Sequence, residues 1–124
     1  TQQPDGAVAP LYISTPEATA YDLIRYAASI GGIERAAETI RPLLPLLHAR
    51  ELRRVLEAEK EPAVAQRLGF VIEACGNKSL AKVVRDGLPD ELAPVALAPV
   101  KGKRDNLPLV KRWQVLNNSS ELKV

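Results

Sequence analysis

The stretch IERAAETIRPLLPLL, residues 33–47, has the clearest hydrophobic pattern in the chain and decides the fold class. Its apolar positions recur three and four residues apart, as on one buried face of a helix. They are Ile33, Ala36, Ala37, Ile40, Leu43, Leu44 and Leu47. Because Pro42 and Pro45 lack the N–H that a helix interior needs, we expect a break near Arg41–Leu44 and a new helix from about Pro45.

Four further helices are predicted on either side of this stretch. Thr15 can cap a first helix whose first residue is Pro16, and Gly31-Gly32 is expected to end it. The third carries Leu52, Val55 and Leu56 on one face. The fourth starts after Glu61-Pro62 and ends at Gly76, and the fifth runs from about Asn77 to Gly87.

Beyond Pro89 the pattern changes from helix-like to strand-like. Residues 95–100 (VALAPV) and 113–116 (WQVL) are predicted to pair as an antiparallel ribbon, with residues 11–14 (LYIS) as a candidate third strand. The expected fold class is α+β and predominantly helical, with about five helices packed with a small C-terminal β-sheet. Residues 1–10 are expected to form a flexible tail or linker and residues 11–124 a single domain.

The composition is that of an ordinary globular protein with one domain. Of 124 residues, 46% are hydrophobic and 26% are charged. No apolar run approaches the roughly 18 residues that a membrane span requires. The single cysteine, Cys75, cannot form an internal disulfide, which fits a reducing compartment, so a cytoplasmic location is predicted.

The sequence offers little material for catalysis. His48 is the only histidine, and no serine or cysteine motif accompanies it as a nucleophile. Cys75 falls on an apolar helix face, where an inert buried thiol is the expected role. One cysteine and one histidine do not make a structural zinc site, and no phosphate-binding glycine motif is present. We therefore expect no enzyme activity, no catalytic residues, no metal and no cofactor.

Positive charge is concentrated near the C-terminus, although the net charge is only +2. The cations there are Lys101, Lys103, Arg104, Lys111 and Arg112. They can form a solvated loop, or a patch that contacts nucleic-acid phosphates with Trp113 nearby for stacking on bases. The second interpretation makes these five residues the candidate nucleic-acid-binding site.

Asp22 stands three residues after Thr19 and three before Arg25, so these side chains can be neighbours on one helix. A partly buried Asp22 would need a cationic partner, for which Arg67 is the candidate. The main hypothesis is a structural tie between helices. The alternative is a recognition face formed by Asp22, Arg25 and Tyr26.

Several motifs in this order resemble the C-terminal domain of the AbiEi family of abortive-infection antitoxins. They are YISTPEATA (residues 12–20), DLIRY (22–26), GGI (31–33), QRLGF (66–70) and WQVLN (113–117). The resemblance covers most of the chain from Leu11 onward. It marks Thr19, Asp22, Arg25, Tyr26, Gln66, Arg67 and Gly69 as structural or recognition residues.

The resemblance implies an antitoxin-type domain that counters a nucleotidyltransferase toxin of the AbiEii type, without requiring a stable complex. In that family an N-terminal winged helix-turn-helix binds the promoter, and the C-terminal domain can add a positive face. The winged-helix segment is absent here, so the chain is expected to be the isolated domain or a fragment. Pro42 and Pro45 depart from the smoother helix that the resemblance implies.

Two other functions remain open from the sequence. The chain could be a helical scaffold that binds another protein through the charged Arg50–Lys60 face and has no nucleic-acid role. A third hypothesis, an enzyme built on His48 and a carboxylate, would be excluded if His48→Ala kept its activity.

Overall fold

The computed structural model describes residues 15–98, 107–119 and 122. In this part of the chain the α-helices are α1 (Pro16–Arg25), α2 (Ile33–Ile40), α3 (Ala49–Glu59), α4 (Pro62–Ala74) and α5 (Lys78–Asp86). Together with a small sheet they confirm the predicted fold class, α+β and predominantly helical. The predicted tail at residues 1–10 and the strand candidate at residues 11–14 lie outside the described residues.

The first helix begins as predicted but ends early. The Thr15 hydroxyl accepts a hydrogen bond from the Ala18 N–H at 3.1 Å, and Pro16 is the first helical residue. The helix ends at Arg25, and a 3₁₀ turn at Ala27–Ser29 follows. The predicted end at Gly31-Gly32 is therefore wrong, because Gly32 instead caps the start of α2 with φ of +106°.

The prolines break the second helix where the sequence predicts. Helix α2 ends at Ile40, and residues 41–46 form a 3₁₀ helix containing both prolines. The predicted new helix from Pro45 is wrong, because Leu47 and His48 have extended backbones and α3 begins only at Ala49. These two residues redirect the chain between α2 and α3.

Helix α4 lies in the middle of the core. It packs against α5 and α1 and also contacts α2 and the sheet. Leu68, Phe70, Val71 and Ile72 are fully buried. Where another element approaches such a helix closely, the helix needs a small residue or a polar residue whose hydrogen bonds are formed. Gly69 and Gln66 meet these two requirements.

The sheet differs from the predicted antiparallel ribbon. Its strands are β1 (Val95–Ala96), β2 (Leu109–Val110) and β3 (Val115–Leu116), in the order β1-β3-β2. Strand β1 pairs with β3 in parallel, and β2 pairs with β3 antiparallel. Strand β2 was not predicted. A tight turn reverses the chain between β2 and β3, and as a result β3 runs parallel to β1. Residues 99 and 100 lie outside the described residues.

Trp113 belongs to the turn between β2 and β3, not to the strand in which it was predicted. Gln114 completes this turn with a left-handed φ of +51°. No helix among the described residues has the length and apolar character needed to cross a membrane.

Candidate functional site

Gln66 joins helix α4 to the sheet. Its side chain is buried, with 2% of the residue exposed. The amide nitrogen donates hydrogen bonds to the carbonyl oxygens of Ala93 at 3.0 Å and Trp113 at 2.9 Å, and lies 3.4 Å from that of Gln114. A buried amide is stable only when it is hydrogen-bonded, so Gln66 holds in place the segments that lead into β1 and β3.

Gly69 lies one helical turn from Gln66 and makes room for Trp113. A β-carbon added at Gly69 would lie 2.1 Å from Cζ3 of the indole ring. Trp113 is fully buried, and its Nε1–H donates to the Glu73 carboxylate at 2.7 Å. The predicted stacking of Trp113 on nucleic-acid bases is therefore wrong, because both the ring and its N–H are engaged inside the domain.

Arg67 does not pair with Asp22, so the predicted tie between them is wrong. Arg67 is half-buried, and its Nε–H donates to the Ala96 carbonyl oxygen at 2.8 Å. Burial lowers the pKa of its guanidinium. Asp22 is exposed on α1, with Arg25 as its ion-pair partner at 4.0 Å. The two residues are separated because Arg67 extends toward the sheet while Asp22 faces solvent.

Arg25 is the centre of an ionic cluster at the end of α1. Its guanidinium contacts the Glu59 carboxylate at 2.5 Å and that of Glu61 at 2.6 Å, tying α1 to the end of α3 and the start of α4. These contacts raise the pKa of Arg25, with the Glu59 hydrogen bond as the largest cause. Neither glutamate is predicted from the sequence, since nothing in the local spacing relates residues 25 and 59.

Two tyrosines border this cluster. The Arg25 guanidinium lies 5.2 Å from the ring centroid of Tyr21 and 5.9 Å from that of Tyr26. Tyr21 is buried, and its hydroxyl donates a hydrogen bond to the Glu61 carboxylate at 3.3 Å. The pKa of Tyr21 is raised to about 12, mainly by burial and secondly by the negative charge of Glu61. Tyr26 is 53% exposed. Asp22, Arg25 and Tyr26 therefore share one surface, with half-buried Thr19 on the same helix.

Only part of the candidate nucleic-acid site falls within the described residues, because Lys101, Lys103 and Arg104 lie outside them. Lys111 and Arg112 occupy the turn between β2 and β3, and both are exposed. The Arg112 guanidinium lies 3.6 Å from the Glu73 carboxylate and 5.4 Å from the Trp113 ring centroid. Arg112 is thus partly neutralised, whereas Lys111 makes no ion pair with another described residue.

Arg112 also interacts electrostatically with Asp86 on α5. The Lys82 ammonium contacts the Asp86 carboxylate at 2.8 Å and is the largest cause of the lowered pKa of Asp86. The charges of Arg53 and Arg112 lower it further. The charges of cations from α3, α5 and the β2–β3 turn therefore act on a single carboxylate, which the linear charge pattern does not reveal.

His48 and Cys75 do not meet in a reactive arrangement. The His48 side chain is 78% exposed, and its Nδ1 lies 3.7 Å from the carboxylate of buried Glu17. The same carboxylate accepts the His48 backbone N–H at 2.6 Å, so its contact at the start of α3 is structural. Cys75 is half-buried, and burial raises the pKa of its thiol. No three His, Cys, Asp or Glu side chains of the described residues are grouped to hold a metal ion.

Comparison of the chain with models of protein families, with curated proteins and with solved structures finds no match. The resemblance to the AbiEi antitoxins therefore stays a prediction that rests on the motifs quoted above.

Proposed function

We propose that this chain is the antitoxin domain of a bacterial type IV toxin–antitoxin system, acting in the cytoplasm against a nucleotidyltransferase toxin without catalysing a reaction. The observation that carries the proposal is the contact between two of the quoted motifs. The Gln66 amide donates to the Trp113 carbonyl at 2.9 Å, and Gly69 accommodates the Trp113 ring. This contact supports treating QRLGF and WQVLN as parts of one structural unit rather than as unrelated similarities.

The proposal includes a supporting role in promoter binding. Lys111 and Arg112 are exposed on a tight turn, and the charges of Lys82, Arg53 and Arg112 act together on Asp86. Such a surface attracts phosphates without reading base sequence. Base recognition would come from the winged helix-turn-helix that the resemblance implies for the complete regulator.

Co-expression of the complete 124-residue chain with a cognate nucleotidyltransferase toxin tests the proposal, with bacterial growth as the measurement. We expect growth to be restored, and a Gly69→Leu variant to lose rescue because its side chain would displace Trp113. A Gly87→Ala variant, whose added β-carbon meets only ordinary contacts, serves as the matched control and should rescue. Continued growth arrest with soluble, folded chain would contradict the proposal.

The second candidate function is a helical protein–protein interaction scaffold without a nucleic-acid role. The observation that favours it is the exposed Arg50–Lys60 face of α3, which borders a groove shared with α5. Charge reversal on this face should abolish capture of the partner and leave any DNA binding intact. Promoter affinity and partner capture, measured on the same variants, separate the two candidates.

A further inference from the structure

Glu73, near the end of α4, contacts two consecutive side chains of the β2–β3 turn through its two carboxylate oxygens. Its Oε1 accepts the hydrogen bond from Trp113 Nε1–H at 2.7 Å. Its Oε2 lies 3.6 Å from Nη1 of the Arg112 guanidinium. Only 16% of the Glu73 side chain is exposed, compared with 43% of the Arg112 side chain. One half-buried carboxylate therefore contacts both a buried indole and a surface cation.

The two contacts of Glu73 make different demands on it. The indole N–H needs an acceptor oxygen, because a buried donor without one is destabilising, and a neutral amide oxygen would also serve. The contact with Arg112 is longer than a hydrogen bond and depends on the negative charge. The charge of Glu73 is therefore not required to hold Trp113, whereas it acts directly on Arg112.

Arg112 has a second partner that orients it without neutralising it. The guanidinium carbon lies 5.4 Å from the ring centroid of Trp113, which is a cation–π distance. Because the ring is fully buried, it offers the guanidinium a fixed surface. Among the described residues, Glu73 is the acid that pairs directly with Arg112, since the nearby Asp86 is bound by Lys82 at 2.8 Å.

We propose that the Glu73 carboxylate is an autoinhibitory partner of Arg112, competing with DNA phosphates for the guanidinium. This role rests on the contribution to promoter binding proposed above for the β2–β3 turn. A carboxylate and a phosphate are both acceptors for the guanidinium N–H groups, so the carboxylate offsets part of the attraction of Arg112 for DNA. Lys111 is exposed and has no ion pair with another described residue. The turn thus presents one free cation and one restrained cation.

Glu73→Gln in the complete chain tests this role, because glutamine keeps an acceptor oxygen for the indole and removes the charge. The probe is a fluorescein-labelled DNA duplex of about 20 base pairs without promoter sequence, since phosphate contacts carry no sequence information. Fluorescence anisotropy in about 0.1 M salt, where the Debye length is about 10 Å, measures the affinity. Glu73→Gln should bind about two- to fivefold more tightly, as expected for release from a partly exposed ion pair.

Two controls separate the contact from a general gain of positive charge. Glu38→Gln, at an exposed glutamate on α2, changes the net charge equally and should leave the affinity nearly unaltered. In an Arg112→Gln background, Glu73→Gln should no longer tighten binding, since no cation remains to be released. A long-range effect of charge would instead tighten binding equally in both backgrounds.

The fluorescence of Trp113, the only tryptophan, reports whether the turn stays packed in Glu73→Gln. The emission maximum should match that of the unmodified chain, because the ring remains buried and hydrogen-bonded. If the ring becomes exposed, two surface variants decide the question without changing Glu73. Lys111→Gln should then weaken DNA binding about two- to fivefold more than Arg112→Gln, because only Lys111 is unrestrained. Equal losses would contradict the restraint.

Three further outcomes would overturn the proposal. An unchanged affinity in Glu73→Gln would show that the carboxylate does not oppose DNA, and a weaker affinity would make it a residue that positions Arg112. Tightening that persists in the Arg112→Gln background would reduce the effect to net charge. DNA binding that depends on Lys111 but not on Glu73 would remove the autoinhibitory contact alone, whereas no DNA binding by any variant would also remove the promoter contribution of the turn. Growth rescue is measured without DNA, so failure of the antitoxin role is detected separately.

Discussion

Gly69 and Trp113 are in contact so close that no side chain fits between them. A β-carbon at Gly69 would lie 2.1 Å from Cζ3, 2.3 Å from Cη2 and 2.8 Å from Cε3 of the indole ring. The ring has little freedom to move away, because Trp113 is fully buried and its Nε1–H is bound to Glu73. The absence of a side chain at residue 69 is therefore a condition for packing the β2–β3 turn on α4.

Gly69→Ala should lower the free energy of unfolding by about 1–3 kcal/mol, the usual cost of overpacking a core. This loss should appear although alanine is favoured over glycine in a helix by about 1 kcal/mol. Urea unfolding followed by far-UV circular dichroism measures it. Gly87→Ala is the control, since its β-carbon would lie 3.5 Å from the nearest atom, the Val84 carbonyl oxygen. Equal stabilities of the two variants would contradict the close contact.

Stability should fall at alkaline pH because of Tyr21. Burial, followed by the Glu61 charge, raises the pKa of Tyr21 to about 12 from an unfolded value near 10. A group whose folded pKa is raised contributes its stability fully below the unfolded pKa, and loses it as pH rises from 10 to 12. The loss should be on the order of 1 kcal/mol at pH 11.

Urea unfolding of the unmodified chain and of Tyr21→Phe between pH 8 and about pH 11 measures this dependence. Tyr21→Phe should flatten the profile above pH 10, whereas Tyr26→Phe, at an exposed tyrosine, should leave it unchanged. An equally steep decline in Tyr21→Phe would assign the alkaline instability to another group.

The exposed cations of the β2–β3 turn should contribute to promoter binding through phosphates alone. In the complete regulator, Lys111→Gln with Arg112→Gln should reduce the slope of log affinity against log salt by up to about 1.8, or about 0.9 for each lost contact. Discrimination between promoter and unrelated DNA should be unchanged. Fluorescence anisotropy over a salt series provides the slopes. The control variant, Arg35→Gln with Arg41→Gln, changes two exposed cations elsewhere and should leave the slope unaltered. An unchanged slope in the turn variant would show that Lys111 and Arg112 do not contact the DNA.

Local signals in the sequence predict helix boundaries where a capping residue, a proline or a glycine sets them. Thr15 and Pro16 start α1, and Pro62 starts α4, because capping and proline geometry act within a few residues. The end of α1 depends on the 3₁₀ turn that follows it, and the start of α3 depends on the extended residues Leu47 and His48. Both features are set by packing. The direction of β1 relative to β3 depends on the short strand β2, whose two residues carry almost no pattern.

The candidate site was less predictable than the fold. The resemblance marks Gly69 as a structural or recognition residue, but the sequence could not identify Trp113 as its neighbour across 44 positions. For the same reason the sequence predicted an accessible Trp113 and a contact between Asp22 and Arg67, and both predictions are wrong. The Arg25–Glu59 ion pair and the cations around Asp86 join helices distant in the chain, so no spacing rule finds them. Lys101, Lys103 and Arg104 remain predictions.

Buried Glu17 should contribute to stability through the start of α3. Its carboxylate, in a residue only 2% exposed, accepts the His48 backbone N–H at 2.6 Å. Glu17→Ala should therefore cost about 1–3 kcal/mol, since it removes the acceptor of that part-buried N–H. Glu17→Gln keeps an acceptor oxygen and should cost less. Glu34→Ala, also in the first turn of a helix but with no side-chain hydrogen bond to another described residue, should change stability by under about 1 kcal/mol in the same urea measurement. A Glu17→Ala variant as stable as Glu34→Ala would show that solvent replaces the carboxylate at His48.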